Sequence, residues 1–406
     1  MGAIDVFYFF SFLVLSFGFY KQNMSNKIGL LLPRSVIYPT MSFDMMAGLR
    51  QGLAELGIKD AEIKTENAGL GAEPKDIYAA CEKLIFDGCM VVLGYVNPVA
   101  AEALEPLFAS AGGIFIALEA GYHFPLGGLN ALPHVFTVSL DGVLCCRIMA
   151  STAAADGCKR MAYVGSFYEA GYRSVLGFHK GLEEAGGAIS YNHITQLKRA
   201  DFTLAPLLEH IESEHPDGVL ASFCGDMLQD FCMAAAATPA LAAYAIYGSA
   251  FMADEIWLAQ CPYPGMDIQL ATTWGSGLVN DANNKFKETM AANKQRVNIW
   301  SMIAWEASRL AAVALLYDAD GAIAALEALA YDGPRGHVAV SAATHRANSP
   351  VYTGRVIKDP QTNHCQLQIE GSSPFTADQR TALEDDINKF DGQATSWKNA
   401  YGCLES

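Results

Sequence analysis

Residues 27–57, KIGLLLPRSVIYPTMSFDMMAGLRQGLAELG, most constrain what this chain can fold into. Ile28 to Leu32 is a short apolar run closed by Pro33, the pattern of a strand buried on both faces. After Tyr38-Pro39, Thr40 or Ser42 offers a helix cap. Met45, Met46, Leu49, Leu53 and Leu56 then recur at helical spacing until Gly57. A buried strand, a polar loop and an amphipathic helix make the first half of a βαβ unit, which belongs in a parallel sheet with helices on its faces. In such sheets ligands bind beyond the carboxyl ends of the strands.

The alternation continues. Strands are expected at 61–65, 90–93 and 114–117, with helices at 74–86 and 99–109. The pattern restarts at 135–138. It then runs through strands at 160–164, 188–191, 218–222 and 244–247, separated by helices at 141–155, 178–185, 204–213 and 227–237. A strand from Ile268 and helices at 283–292 and 299–316 have the character to complete the first unit. Residues 331–357 turn to hairpin-like chemistry, and 376–390 read as an acidic helix. The class is α/β, as two doubly wound parallel-sheet domains of one design. A length of 406 residues is likewise too great for a single ordinary core.

Only 17% of the residues are charged and the net charge is −16, with no basic run. That argues against nucleic acid or anionic lipid as a partner. Residues 6–19, VFYFFSFLVLSFGF, have the length of a signal-peptide core and are short for a membrane span. No Lys or Arg precedes them and Asp5 stands where positive charge is expected, so 1–23 reads as a degenerate export signal and the protein as periplasmic. Translation from Met24 is the alternative and would leave it cytoplasmic. The ten cysteines form no CxxC pair and no metal-like framework. Most fall at apolar helical positions, where cysteine acts as a small hydrophobe. So many thiols fit a reducing compartment better than an oxidising one.

Enzyme readings fail on spacing: there is no G-x-S-x-G elbow, no P-loop, no H-E-x-x-H and no complete dinucleotide fingerprint. The histidines have no ligand spacing, so neither a cofactor nor a metal is expected. What collects at strand ends is a binding inventory. Ser35 and Tyr38 follow the first strand, Tyr95 and Asn97 the third, and Glu119, Tyr122 and His123 the fourth. In the second domain Phe167, Tyr168 and Tyr172 follow one strand, Cys224 and Asp226 another, and Ser249 and Phe251 a third. Aromatics with a few hydroxyls and carboxylates suit a small amphiphilic ligand. An Asp at a helix start, such as Asp226, also serves as a cap without any ligand.

Over 27–369 the chain resembles the type I periplasmic binding proteins of the branched-chain amino acid class, the substrate-binding components of ABC importers. KIGLLLPRSVIYPTMSFDMMAGL resembles the family's opening strand, loop and helix, with Val36 at a usual glycine. VVLGYVNPVAAEALEPLFASAGGIFIAL resembles the ligand loop and its flanking strands. YDGPRGHVAVSAATHRANSPVYTGRV carries a GPxG turn, the later His345 and a closing strand together. The resemblance implies two lobes joined by three hinge crossovers, near Val138, Thr272 and Ala343. The first lobe would be 24–138 with 273–343 and the second 139–272 with 344–372, followed by a C-terminal extension at 373–406. It also implies a ligand in the cleft, hinge closure over it, and a membrane permease as partner. Ser35 falls on the family's first-loop serine, Asn97 or Pro98 where a serine often bonds the ligand carboxylate, and Glu119 to Gly121 where that carboxylate site is finished. A carboxylate at Glu119 would repel such a ligand, so it is expected to meet a ligand amine or amide. Ala170-Gly171 stands at the usual Tyr-Gly pair. A cytoplasmic ligand sensor of the same fold and a hydrolytic enzyme are the alternatives.

Overall fold

The computed structural model describes residues 26–389. The expected leader, the alternative start at Met24 and the end of the C-terminal extension, with Cys403, lie outside the described residues. The chain first lays down β1 (Lys27–Pro33), β2 (Glu62–Gly69), β3 (Val91–Tyr95), β4 (Ile114–Glu119) and β5 (Val135–Ser139). It crosses to a second sheet for β6 (Arg160–Gly165), β7 (Ala188–Ile194), β8 (Gly218–Ser222), β9 (Ile246–Gly248) and β10 (Ile268–Thr272). It returns for β11 (Ala330–Gly333), β12 (Gly336–Val340) and β13 (Arg346–Asn348), then ends in the second sheet with β14 (Tyr352–Lys358) and β15 (Cys365–Ser372). The orders are β11-β12-β13-β5-β4-β3-β1-β2 and β15-β14-β10-β9-β8-β6-β7. Helices flank both sheets, so the molecule is two α/β lobes.

The apolar run at the start does what its pattern implies: β1 pairs in parallel with both β2 and β3, with Ile28 beside Ile63 and Val91. The helix Met41–Glu55 buries Met41, Met45, Leu49 and Leu53. It lies against the helix Ile299–Ala314 at glycine distance. A Cβ on Gly48 would stand 2.0 Å from the Ser301 carbonyl oxygen, and one on Gly52 would stand 2.4 Å from Ser308 Oγ. That contact places Trp300, at the start of the second helix, beside the loops that follow β1 and β3.

Both sheets are parallel-dominated, as expected, and each takes antiparallel strands at one edge: β11–β12, β12–β13 and β14–β15 are joined by short connections, where a parallel crossover needs a dozen or more residues. β14 also pairs antiparallel with β10. Two expectations need correction. The third passage between sheets follows Asn348, not Ala343. β13 pairs in parallel with β5, and its three residues, Arg-Ala-Asn, carry no apolar signal. The expected helix at 99–109 is two, Pro98–Glu102 and Glu105–Ala111, with Pro106 in the first turn of the second, where its missing N–H costs nothing.

The helix Thr376–Lys389 is built into the joint between the lobes. It buries Leu383 and Ile387, and Gln379 accepts from Arg147 Nε of the second lobe at 2.9 Å. Arg380 donates to Asp141 at 2.9 Å, Asn348 at 3.0 Å and the Ser349 carbonyl at 2.8 Å, tying the first passage to the third. Asn388 accepts the Leu129 N–H of the first lobe at 2.8 Å. Asp141 itself is left-handed, with φ 52°, an unfavourable conformation for a residue with a Cβ. Burial raises its pKa, but Arg380, Arg346 and Arg335 together outweigh that and hold it below the ordinary carboxylate range.

Candidate functional site between the lobes

The first lobe's wall is aromatic. Ser35 Oγ accepts the Tyr38 N–H at 2.9 Å and so shapes the loop after β1. The Tyr38 ring meets Trp300 edge-on at 5.0 Å, and Tyr95, the last residue of β3, meets the same indole at 5.2 Å. Such edge-to-face pairs add about 0.5–1.5 kcal/mol beyond their buried area and hold one another's orientation. Asn97 is buried next to them, and its side-chain oxygen caps Pro98–Glu102 by accepting from Val99 N–H at 2.9 Å.

The second lobe supplies the opposite wall. Phe167, Glu169 and Tyr172 follow β6, with Phe167 edge-on to Tyr168 at 6.3 Å. Tyr122 reaches from the loop after β4 and stacks on Phe251 at 3.9 Å, nearly parallel. Its hydroxyl oxygen accepts the Phe251 N–H at 3.2 Å. His123 packs on Tyr172 at 4.7 Å, and Arg173 lies over the Phe124 ring at 5.5 Å. Gly121 makes this approach possible: its φ is 76°, and a Cβ there would stand 2.6 Å from the Asp141 backbone. Finally the Tyr38 hydroxyl donates across the gap to Asp254 Oδ2. Beside that bond lies a cavity of about 140 Å³ bounded by Asp254, Glu255, Trp274 and Asn298. The lobes are therefore in contact, through Tyr38 on Asp254, Tyr122 on Phe251 and His123 on Tyr172.

Burial sets the charge of the walls. It pushes the Asp254 carboxyl up to about 6, against the pull of Tyr38 and the Ile256 N–H. It pushes Glu169 up to about 8, although the Cys224 thiol, donating at 2.6 Å, acts the other way. It lowers His123 to about 4, helped by Arg173. At neutral pH Glu169 and His123 are uncharged, and Arg173 supplies positive charge. Ser249 Oγ accepts from Ser222 Oγ at 3.1 Å beneath Phe251.

Two expected residues are engaged elsewhere. Glu119 is buried at the end of β4 and ion-paired to Arg346 of β13 at 2.6 Å, so its counter-charge comes from the chain itself. Burial still raises its pKa, Arg346 opposing. Asp226 is paired with Arg199 at 2.9 Å. Sequence reasoning missed Trp300, Glu169 and Asp254. Trp300 stands in an apolar helix and reads as core. Glu169 lies inside the Phe167 to Tyr172 loop already singled out, where its burial has no sequence mark. Asp254 lies five residues beyond Ser249 and caps the helix Glu255–Leu258, so in sequence it reads as a helix cap.

The sequence model of a family described as periplasmic binding protein matches residues 25–361. No curated protein sequence matches the chain. Among solved structures, a solute-binding protein of an ABC transporter from R. palustris, in complex with benzoate, is similar at a TM-score of 0.68 and 24% identity. The match covers 86% of this chain and 96% of that one. One from Rhodopseudomonas palustris BisB5, in complex with 3,4-dihydroxybenzoic acid, has a TM-score of 0.69 and 18% identity over 87% and 99% of the two chains. An ABC transporter substrate-binding protein from Sphaerobacter thermophilus has a TM-score of 0.72 and 17% identity over 85% and 97%.

Proposed function

The chain belongs to the periplasmic binding protein family, and from that premise we propose that it is a non-catalytic solute-binding protein of an ABC importer. The observation that carries this reading is an aromatic cluster on each lobe, Tyr38, Tyr95 and Trp300 on the first and Phe251, Tyr172 and the Phe167-Tyr168 pair on the second, joined where Tyr38 meets Asp254 and Tyr122 stacks on Phe251. Clusters of that kind bury a flat or apolar ligand, and contact across them links occupancy to a change of shape that a membrane permease reads. The export-like stretch at 6–19 supports a periplasmic place of work. Among the described residues no helix is long and apolar enough to cross a membrane.

The ligand is a small amphiphile with a carboxylate or carbonyl head. A neutral Glu169 donates rather than repels, Asp254 is committed to Tyr38, and Arg173 is cationic. Aromatic acids and amino acids both fit that description, and benzoate and 3,4-dihydroxybenzoic acid occupy two structures of the same fold. Of the residues expected to touch the ligand, Tyr38, Tyr95, Phe167, Tyr168, Tyr172 and Phe251 are retained here. Glu119 and Asp226 are assigned structural pairing instead. Thermal unfolding with benzoate, 4-hydroxybenzoate, leucine and phenylalanine amide tests the reading. A ligand at a hundred times its Kd stabilises by about 2.7 kcal/mol, a rise in Tm that is easily read. No response to any of the four sinks the ligand class, and turnover of the amide replaces the reading with an enzyme.

A further inference from the structure

Three thiols converge in the second lobe, in an apolar cluster separate from the one that holds Tyr122, Tyr172 and Phe251. Cys232 lies on the helix Gly225–Ala236, Cys261 follows the helix Glu255–Leu258, and Cys365 opens β15. Each is a free, buried cysteine. Pro262 and His364 form an antiparallel bridge, flanked by Cys365 N–H donating to the Cys261 carbonyl at 2.9 Å and Tyr263 N–H to Asn363 at 3.5 Å. That pattern sets Cys261 and Cys365 directly opposite one another, with side chains on one face. Opposite residues of this kind have Cα atoms about 5.5 Å apart. The span that a disulfide accepts is about 4.4–6.8 Å. Cys232 lies in the same buried cluster, near enough for both other thiols to raise its own pKa.

We propose that Cys261 and Cys365 are a disulfide-forming pair and that Cys232 is a third thiol able to take the place of either. The oxidant is a disulfide of the glutathione class or a protein dithiol oxidase. One cysteine thiolate attacks it to give a mixed disulfide and releases one thiol. The second cysteine then attacks the mixed disulfide and releases the other. One S–S bond forms, one breaks, the two cysteines lose two protons and two electrons, and the oxidant leaves as two thiols. The step belongs to folding, before the cluster closes. In the folded core the neighbouring Cys261 and Cys365 thiols, with burial, raise the Cys232 thiol well above its ordinary range and suppress the reactive thiolate. The bond would anchor β15, the edge strand of the second sheet, to the segment leading into β10. It is independent of what the cleft binds.

The test refolds the reduced, denatured full chain in oxidised and reduced glutathione, blocks thiols with iodoacetamide and maps peptides without reduction. The Cys261 and Cys365 peptides should appear joined, lighter by two hydrogens than their sum. In Cys365→Ala the link should move to Cys232 and Cys261. Alkylation of all three thiols in the wild type, or a link from any of them to a cysteine outside the trio, overturns the proposal. Should refolding fail, acid-trapped protein exported to a bacterial periplasm is mapped in the same way. The same two results there overturn it.

Discussion

Replacing Tyr38 with Phe removes one hydroxyl whose partner stands 216 residues away on the other lobe. The bond to Asp254 exists only while the lobes touch, so its loss acts on closure and not on the fold of either lobe. A hydrogen bond to a charged group contributes about 1.5–3 kcal/mol. At about 1.4 kcal/mol per decade the closed-to-open ratio should fall about ten- to a hundredfold. The effect depends on pH. Asp254 titrates near 6 when buried and near its ordinary 3.8 when opened to water, so the closed form holds the extra proton between those values. Closure is therefore favoured at low pH, and that advantage, about 3 kcal/mol at most, is lost as pH rises through 6. At pH 7 the variant leaves an ionised carboxylate with one donor fewer. At pH 5 it loses only a neutral bond of about 0.5–1.5 kcal/mol. Small-angle X-ray scattering of ligand-free wild type and Tyr38→Phe at both pH values reads the open fraction. Superimposable profiles, or an equal loss of closure at pH 5 and pH 7, would refute the reasoning.

Glu119→Gln should lower the denaturant midpoint by the equivalent of about 3 kcal/mol, since it breaks a buried pair with Arg346 while Asp141 at 3.5 Å remains as a weaker partner. Affinity for a ligand found by the thermal screen should stay within about threefold; a hundredfold loss would return Glu119 to the ligand. Arg380→Ala removes three hydrogen bonds between the first and third passages and should cost about 2–3 kcal/mol. Hydrogen exchange should quicken at 139–142 and 348–351, and unchanged protection there would show that the C-terminal helix does not brace the joint. Gly48→Ala forces a methyl against the Ser301 carbonyl and should destabilise by about 1–3 kcal/mol in urea titration.

The alternation of apolar runs with amphipathic ones was enough to establish two parallel-dominated lobes, because burial on both faces of a strand and on one face of a helix leaves periodicities of its own. Strands such as Val91–Tyr95 and Gly218–Ser222 announce themselves in this way. β13 does not, since three residues with Arg at one end owe their strand to the backbone of β5. The aromatic residues of the walls were also legible, as loop residues placed at strand ends. What each touches was decided only in three dimensions. Glu119 finds Arg346 across 227 residues, and Tyr38 finds Asp254 across 216. A carboxylate, a cysteine or a tryptophan looks the same in sequence whether its partner is solvent, a ligand or a side chain brought in by the hinge. Pairing at that distance is set by how the sheets and the joint assemble, and one chain read alone carries no periodic trace of it.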